Sequence, residues 1–150
     1  MCIRDRLKEV LPIIAEQHSL YPLIGVGHRV VHGGDSYDRA IQIDQNVEET
    51  IQQLSSLAPL HNPVNVLGIK IARSIFTDIP HVAIFDTAFH QSIPKRASTY
   101  AIDQQVADRF MAKRFGFHGT SHSYVAKKAC LLYTSPSPRD RTRSRMPSSA

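Results

Sequence analysis

Cysteine is close to absent: the 150-residue chain has two, Cys2 and Cys130, one near each end. A single widely separated pair is no disulfide framework, and the body of the chain reads as a reduced, cytoplasmic protein. No apolar run approaches the ~20 residues that cross a bilayer, and no basic-then-apolar leader opens the sequence. No stretch repeats. The glycine-rich G-x-x-x-x-G-K loop that cradles nucleotide phosphates does not occur, and Gly119-Thr120-Ser121 is no substitute for it. The nucleotide-binding residues are therefore unknown from this chain. The glutamate of a zinc-binding H-E-x-x-H is missing too, because Arg29 stands between His28 and His32 in its place. Those two histidines lie in a stretch that reads as strand, where four residues span ~13 Å, too far for one metal with ~2 Å bonds. No metal ligand is assigned.

Net positive charge is concentrated at the ends. The formal net charge is +5, of which residues 131–150 carry +3 and residues 1–6 carry +1, leaving +1 for residues 7–130. The basic balance that would otherwise suggest nucleic acid or an anionic surface is thus confined to the termini, and neither nucleic acid nor membrane is expected as a partner. The last twenty residues are rich in Ser, Pro and Arg and have no apolar period, so they cannot bury enough surface to offset ordering. Residues 1–6 and 131–150 read as a non-native head and a non-native, disordered tail, set aside from fold reasoning.

Between them, apolar positions alternate between helical and strand periods. Leu7, Val10, Leu11, Ile14 and Ala15 imply a helix over 7–18 with Pro12 near its start, and Leu23–Val31 a buried strand ended by Gly33-Gly34. Val47, Ile51, Leu54 and Leu57 imply a helix stopped by Pro59. A second begins at Pro63 and runs to about Phe76, with Val66, Leu67, Ile69, Ile71 and Ile75 inward. His81–Phe85 is a short strand with Asp86 at its carboxyl end. Thr99–Ile102 reads as another strand. Asp103 is placed to cap a helix over 104–114, and Thr120 or Ser121 to cap the next. Helices alternating with strands imply an α/β architecture, whose ligands gather at the carboxyl ends of strands.

Four polar clusters fall within about 95 residues: His28-Arg29-Val30-Val31-His32-Gly33-Gly34, Pro59-Leu60-His61-Asn62-Pro63, Phe85-Asp86-Thr87-Ala88-Phe89-His90 and Gly116-Phe117-His118-Gly119-Thr120-Ser121-His122. Each sets a charge beside Gly, Pro or a short apolar run, which is how a rigid element delivers a polar group to a pocket. An arginine in an apolar strand needs an anion. That anion is either an internal acid, with Asp35 and Asp86 available, or a bound carboxylate or phosphate. His61 can be a turn residue or a catalytic one. Asp86 can cap a helix or position a metal or a nucleophile. His118, between two glycines, can bond a carbonyl or donate to a ligand approached closely by backbone.

In order and spacing these clusters resemble the acetate kinase family, which transfers the ATP γ-phosphoryl to acetate to give acetyl phosphate. Departures are small: Asp35 follows the glycines where glutamate is usual, and Val64 stands where Pro or Ala is common. The resemblance implies an incomplete portion of the duplicated actin-like, sugar-kinase and heat-shock-protein (ribonuclease H-like) fold, with 7–88 in the first domain and 89–130 opening the second. It implies that Arg29 binds the acyl carboxylate while Val31, Leu60 and Phe117 wall a slot for its methyl. Asp86, His118 and His61 become catalytic, with His90 and His122 in support. ATP and Mg2+ are implied, with most of their ligands outside the chain, as is a homodimer. Propionate kinase is the nearest alternative, and a non-catalytic chain the alternative of another class. A carboxylate substrate, with a pKa near ~4–5, is already ionised at neutral pH. Asp86 is thus better suited to orienting the phosphoryl group or its metal than to removing a proton.

Overall fold

In the computed structural model, residues 3–17 and 22–133 are described. Met1, Cys2 and residues 18–21 and 134–150 lie outside them, and with them the last residue of the expected helix 7–18 and most of the expected tail. The elements are α1 (Ile3–Gln17), β1 (Val26–Val30), β2 (Ile41–Gln42), α2 (Gln45–Gln53), α3 (Asn62–Ile75), β3 (His81–Phe85), α4 (Lys95–Ser98), α5 (Gln104–Phe110) and α6 (Gly119–Tyr133). Short 3-10 turns follow α2 at Leu54–Ser56 and β3 at Ala88–Ser92. The chain divides into two compact units, one through Thr120 and one from Ser121 onward, the second holding most of α6.

In the first unit a three-stranded sheet has the order β1-β3-β2. β1 runs parallel to β3, with Val26 opposite His81 and Val30 opposite Phe85. β2, which the periodicity does not reveal, pairs antiparallel through Ile41 and Ala83. The parallel register brings the carboxyl ends of β1 and β3 to one edge, and the Asp86 N–H extends the ladder to the Val30 carbonyl at 2.9 Å. α3 packs against β1, with α1 and α2 against α3. Between them Val30, Ile43, Val47, Ile51, Val66, Ile69, Ala83 and Phe85 form the core. Each such side chain contributes on the order of 1.5–3 kcal/mol by leaving water.

The helices start and stop for local reasons. Asp44 caps α2 by accepting from the Val47 N–H at 2.8 Å, and Pro63 occupies the first turn of α3, where its missing N–H costs nothing. Asp103 caps α5 as expected, at 3.1 Å from the Val106 nitrogen. Six expectations need correction. The helix expected to run through Leu57 to Pro59 ends at Gln53, where the chain tightens into the 3-10 turn Leu54–Ser56. α1 begins at Ile3, so Pro12 lies inside the helix rather than near its start, and part of the supposed head is helical. β1 is shorter than Leu23–Val31 because backbone pairing with β3 stops at Val30. Thr99–Ile102 makes only an isolated bridge from Thr99 to Lys113, not a strand. α5 ends at Phe110 because Met111 turns left-handed at φ 51°. α6 starts at Gly119, ahead of Thr120 and Ser121, with the Gly119 N–H bonded to the Asp86 carbonyl at 2.9 Å.

Candidate active site

Arg29 lies near the end of β1 on the sheet face away from the core, because alternation sends Val26, His28 and Val30 inward. Asp86 follows β3 directly and is buried, whereas the Arg29 side chain is 64% exposed. Of the two internal acids, Arg29 meets Asp86. Arg29 Nε donates to Oδ1 at 3.0 Å and Nη2 to Oδ2 at 2.8 Å, a two-pronged ion pair. Hydrogen bonding to Asp86, then its charge, raises the Arg29 pKa above its already high value. Asp35 pairs instead with Lys113. The expectation of a buried arginine is thus corrected: the fork is satisfied while one edge stays in water.

His118 Nδ1 lies 3.2 Å from Arg29 Nη2. A guanidinium has only donors, so Nδ1 accepts and a neutral His118 carries its proton on Nε2. The ring is mostly exposed rather than bonded to a carbonyl, and its backbone is left-handed at φ 55°. A non-glycine residue held there carries a strain of roughly 1–3 kcal/mol. Gly119 must be glycine because a Cβ there would overlap the Asp86 carbonyl.

One cavity of about 610 Å³ is lined by Arg29, Val31, Leu60, His61, Asp86, Phe117 and His118, together with Leu57, Ala58, Pro59 and Asn65. Every catalytic or substrate-binding residue expected from sequence therefore meets at one place. A charged group, two histidines and an apolar wall sit side by side, which suits a small anion with a short apolar end. Leu60 is 81% exposed, so the slot stands open on that side. Of the two expected supporting residues, His90 holds the Phe117 wall, its Nε2 2.9 Å from the Phe117 carbonyl. His122 lies in the second unit.

Four residues of structural consequence escape a reading of the sequence. Asn62 is fully buried and Asn65 lines the cavity, while His32 and Thr87 are buried beneath the turn after β1. Asn65 Oδ1 accepts from the Val31 N–H at 3.2 Å, Asn62 Oδ1 from His32 at 3.1 Å and Thr87 Oγ1 from Gly33 at 3.0 Å. His32 Nδ1 accepts from Gly34 at 3.0 Å. Burial, reinforced by Lys113 and opposed by Asp35, lowers the His32 pKa, consistent with a neutral ring accepting at Nδ1. An asparagine just before a helix-starting proline is the one available signal, and it reads equally well as a simple turn.

Among the described residues no group of three or more acidic, histidine or cysteine side chains gathers as a metal site. Both Asp86 oxygens face Arg29, so these residues alone do not make a magnesium site.

The chain matches the model of the acetokinase family over residues 3–139. It is 51% identical over 133 residues to an acetate kinase of Thermotoga maritima, covering 85% of this chain and 33% of that protein. A propionate kinase structure from Francisella tularensis superposes with a TM-score of 0.81 at 37% identity, over 88% of this chain and 34% of the other. Porphyromonas gingivalis acetate kinase superposes at 0.76 and 34% identity, over 84% and 34%. The chain thus spans about a third of the length of these relatives, and its fold is the corresponding part of the actin-like fold they share. By sequence match and by superposition, this chain belongs to the acetokinase family.

Proposed function

We propose that the protein to which this sequence belongs transfers the γ-phosphoryl group of ATP to acetate, reversibly, giving acetyl phosphate and ADP. The observation that carries this reading is the shared cavity of Arg29, Asp86, His118 and His61 beside Val31, Leu60 and Phe117. Arg29 receives the acetate carboxylate through the guanidinium edge that Asp86 leaves free, and the three apolar side chains receive its methyl. An acetate oxygen is already ionised, so no base is required. Asp86 keeps Arg29 oriented and faces the phosphoryl group. His118, donating from Nε2, and His61 stabilise charge spreading over the transferred oxygens, the main demand of phosphoryl transfer. Magnesium, when bound with ATP, would offset phosphate charge; both Asp86 oxygens are engaged by Arg29, and most of the ligands for the metal are expected outside this chain.

The reading extends to a cytoplasmic homodimer. Residues 7–130 by themselves are expected not to turn over, since the nucleotide loops lie elsewhere. A second reading, propionate kinase, draws on the likeness to the Francisella tularensis enzyme. Val31 favours acetate because its side chain occupies the space another methylene needs, a preference worth only ~1–3 kcal/mol.

Binding tests the assignment most directly. Acetate titrated into the 150-residue chain should shift the Val31 and Phe117 amide resonances. Arg29→Gln should weaken that binding by about tenfold or more, the loss of one charged hydrogen-bonding partner. Undiminished acetate binding by Arg29→Gln would remove the assignment of the carboxylate site.

A further inference from the structure

The stretch just after β1 leaves the sheet, yet its backbone is not left to water. Four consecutive N–H groups, Val31 to Gly34, are each accepted by a side chain, from Asn65, Asn62, Thr87 and His32 in turn. Asn62 also donates from Nδ2 to the His32 carbonyl at 3.0 Å and to the Ile51 carbonyl at 3.2 Å, so its amide is fully committed. Its side chain has no solvent exposure. The two asparagines act as a substitute strand along this segment, replacing the ladder bonds that β3 ceases to supply.

Their position gives this a consequence for the cavity. Asn62 and Asn65 stand in the first turn of α3, directly after Leu60 and His61, whereas Val31 directly follows β1. Val31 and Leu60, which line the same cavity, therefore belong to separate elements, joined here by the amide bonds. His32 extends the brace to the third wall, packing edge-on against Phe117 with ring centres 5.7 Å apart. The Asn65 bond also consumes the Val31 N–H, which would otherwise be a free donor at the cavity surface.

We infer that Asn62 and Asn65 are positioning residues whose amides fix the gap between Val31 and Leu60, the dimension that selects the length of the acyl chain. The selectivity rests on the function proposed above; the brace itself does not. Neither asparagine is assigned a contact with the reacting atoms. Each acts through the wall it holds.

Asn65 offers the cleaner test, since it makes one such bond and is only half-buried; Asn62→Ala removes three bonds in the core and endangers folding. In the 150-residue chain, Asn65→Ala should speed hydrogen exchange of the Val31 amide by about five- to tenfold, the loss of one hydrogen bond. Core amides such as Ala83 should be unaffected. Asn65→Asp keeps an acceptor in the same place and should restore Val31 protection. Acetate and propionate titrated into the unsubstituted and Asn65→Ala chains should give affinity ratios that differ, with acetate losing its advantage in the variant. Equal Val31 exchange in both chains, or an unchanged acetate-to-propionate ratio, overturns the inference and leaves the proposed function standing. Binding of neither acid by the unsubstituted chain, with Val31 well protected, overturns the proposed function and the selectivity together.

Discussion

Residues 26–92 and residues 95–117 both carry large apolar side chains, but they treat them in opposite ways. In the first stretch the strands and α2 and α3 bury Val30, Ile51, Ile69 and Phe85 almost completely. In the second, only Ala107 is buried among the apolar residues, and Tyr100, Ile102, Val106, Phe110 and Met111 are all at least 45% exposed. Its bonds are mainly local: Asp103 to Val106, Gln104 to Asp108, Thr99 back to Lys95. Hydrophobic content alone does not make a core. A central strand flanked on both sides does, because it gives several helices a common face to cover. The candidate site draws on both stretches, with Arg29 and Asp86 anchored in the packed part, Phe117 at the end of the open one and His118 just beyond it.

Substitutions should separate the two stretches sharply. Phe85→Ala removes a side chain that is 1% exposed and stacked on Tyr37 at 4.5 Å between ring centres. A loss of about 3–5 kcal/mol is expected in urea unfolding, as for other buried aromatics. A loss below ~1 kcal/mol, the size of an ordinary substitution, would mean that the packing around β3 is not the stabilising element.

A smaller effect concerns the brace between β1 and β3. His28 Nε2 lies 2.9 Å from His81 Nδ1, and His81 Nε2 lies 2.9 Å from the Phe76 carbonyl. Since that carbonyl only accepts, His81 Nε2 donates to it, which leaves His81 Nδ1 facing His28 Nε2. Burial, then His81 and Arg73, lower the His28 pKa to about 4. The unfolded value is near ~6.5, so the folded chain binds fewer protons between the two. The stabilisation is whole above pH ~6.5 and is lost as pH falls toward 4. Because the ring is partly exposed, the total is about 1 kcal/mol. His28→Gln should flatten the melting temperature across that window, and an unchanged slope would count against the histidine pair.

The smallest effect belongs to the open stretch. Phe110 is 61% exposed, and Phe110→Ser should change stability by no more than ~0.5 kcal/mol, the range of surface substitutions. A loss like that of Phe85→Ala would erase the contrast between the two stretches.

Much of the packed stretch is legible in its residue pattern. Ile51, Val66, Ile69 and Ile71 fall on a helical period and are buried, and His81–Phe85 forms the strand that ends in Asp86. β2 is not legible, because two residues are too few to show a period. Thr99–Ile102 misleads because its Thr, Tyr and Ile suit a strand while no neighbouring strand is there to pair with it. Asn62, Asn65 and Thr87 stay hidden for a related reason. Their bonds to Val31, His32 and Gly33 join positions 30 to 54 residues apart, which no local pattern encodes.

Residue order alone determined the family, the helical stripes, and the polar clusters that line the cavity, because spacing and chemical type are properties of the chain itself. Which internal acid Arg29 met, Asp35 or Asp86, could not be settled that way. It was decided when the parallel register of β1 and β3 brought two strand ends together and left Asp86 buried beside the guanidinium. A buried carboxylate takes the cation within reach, and which cation is within reach is a property of the sheet.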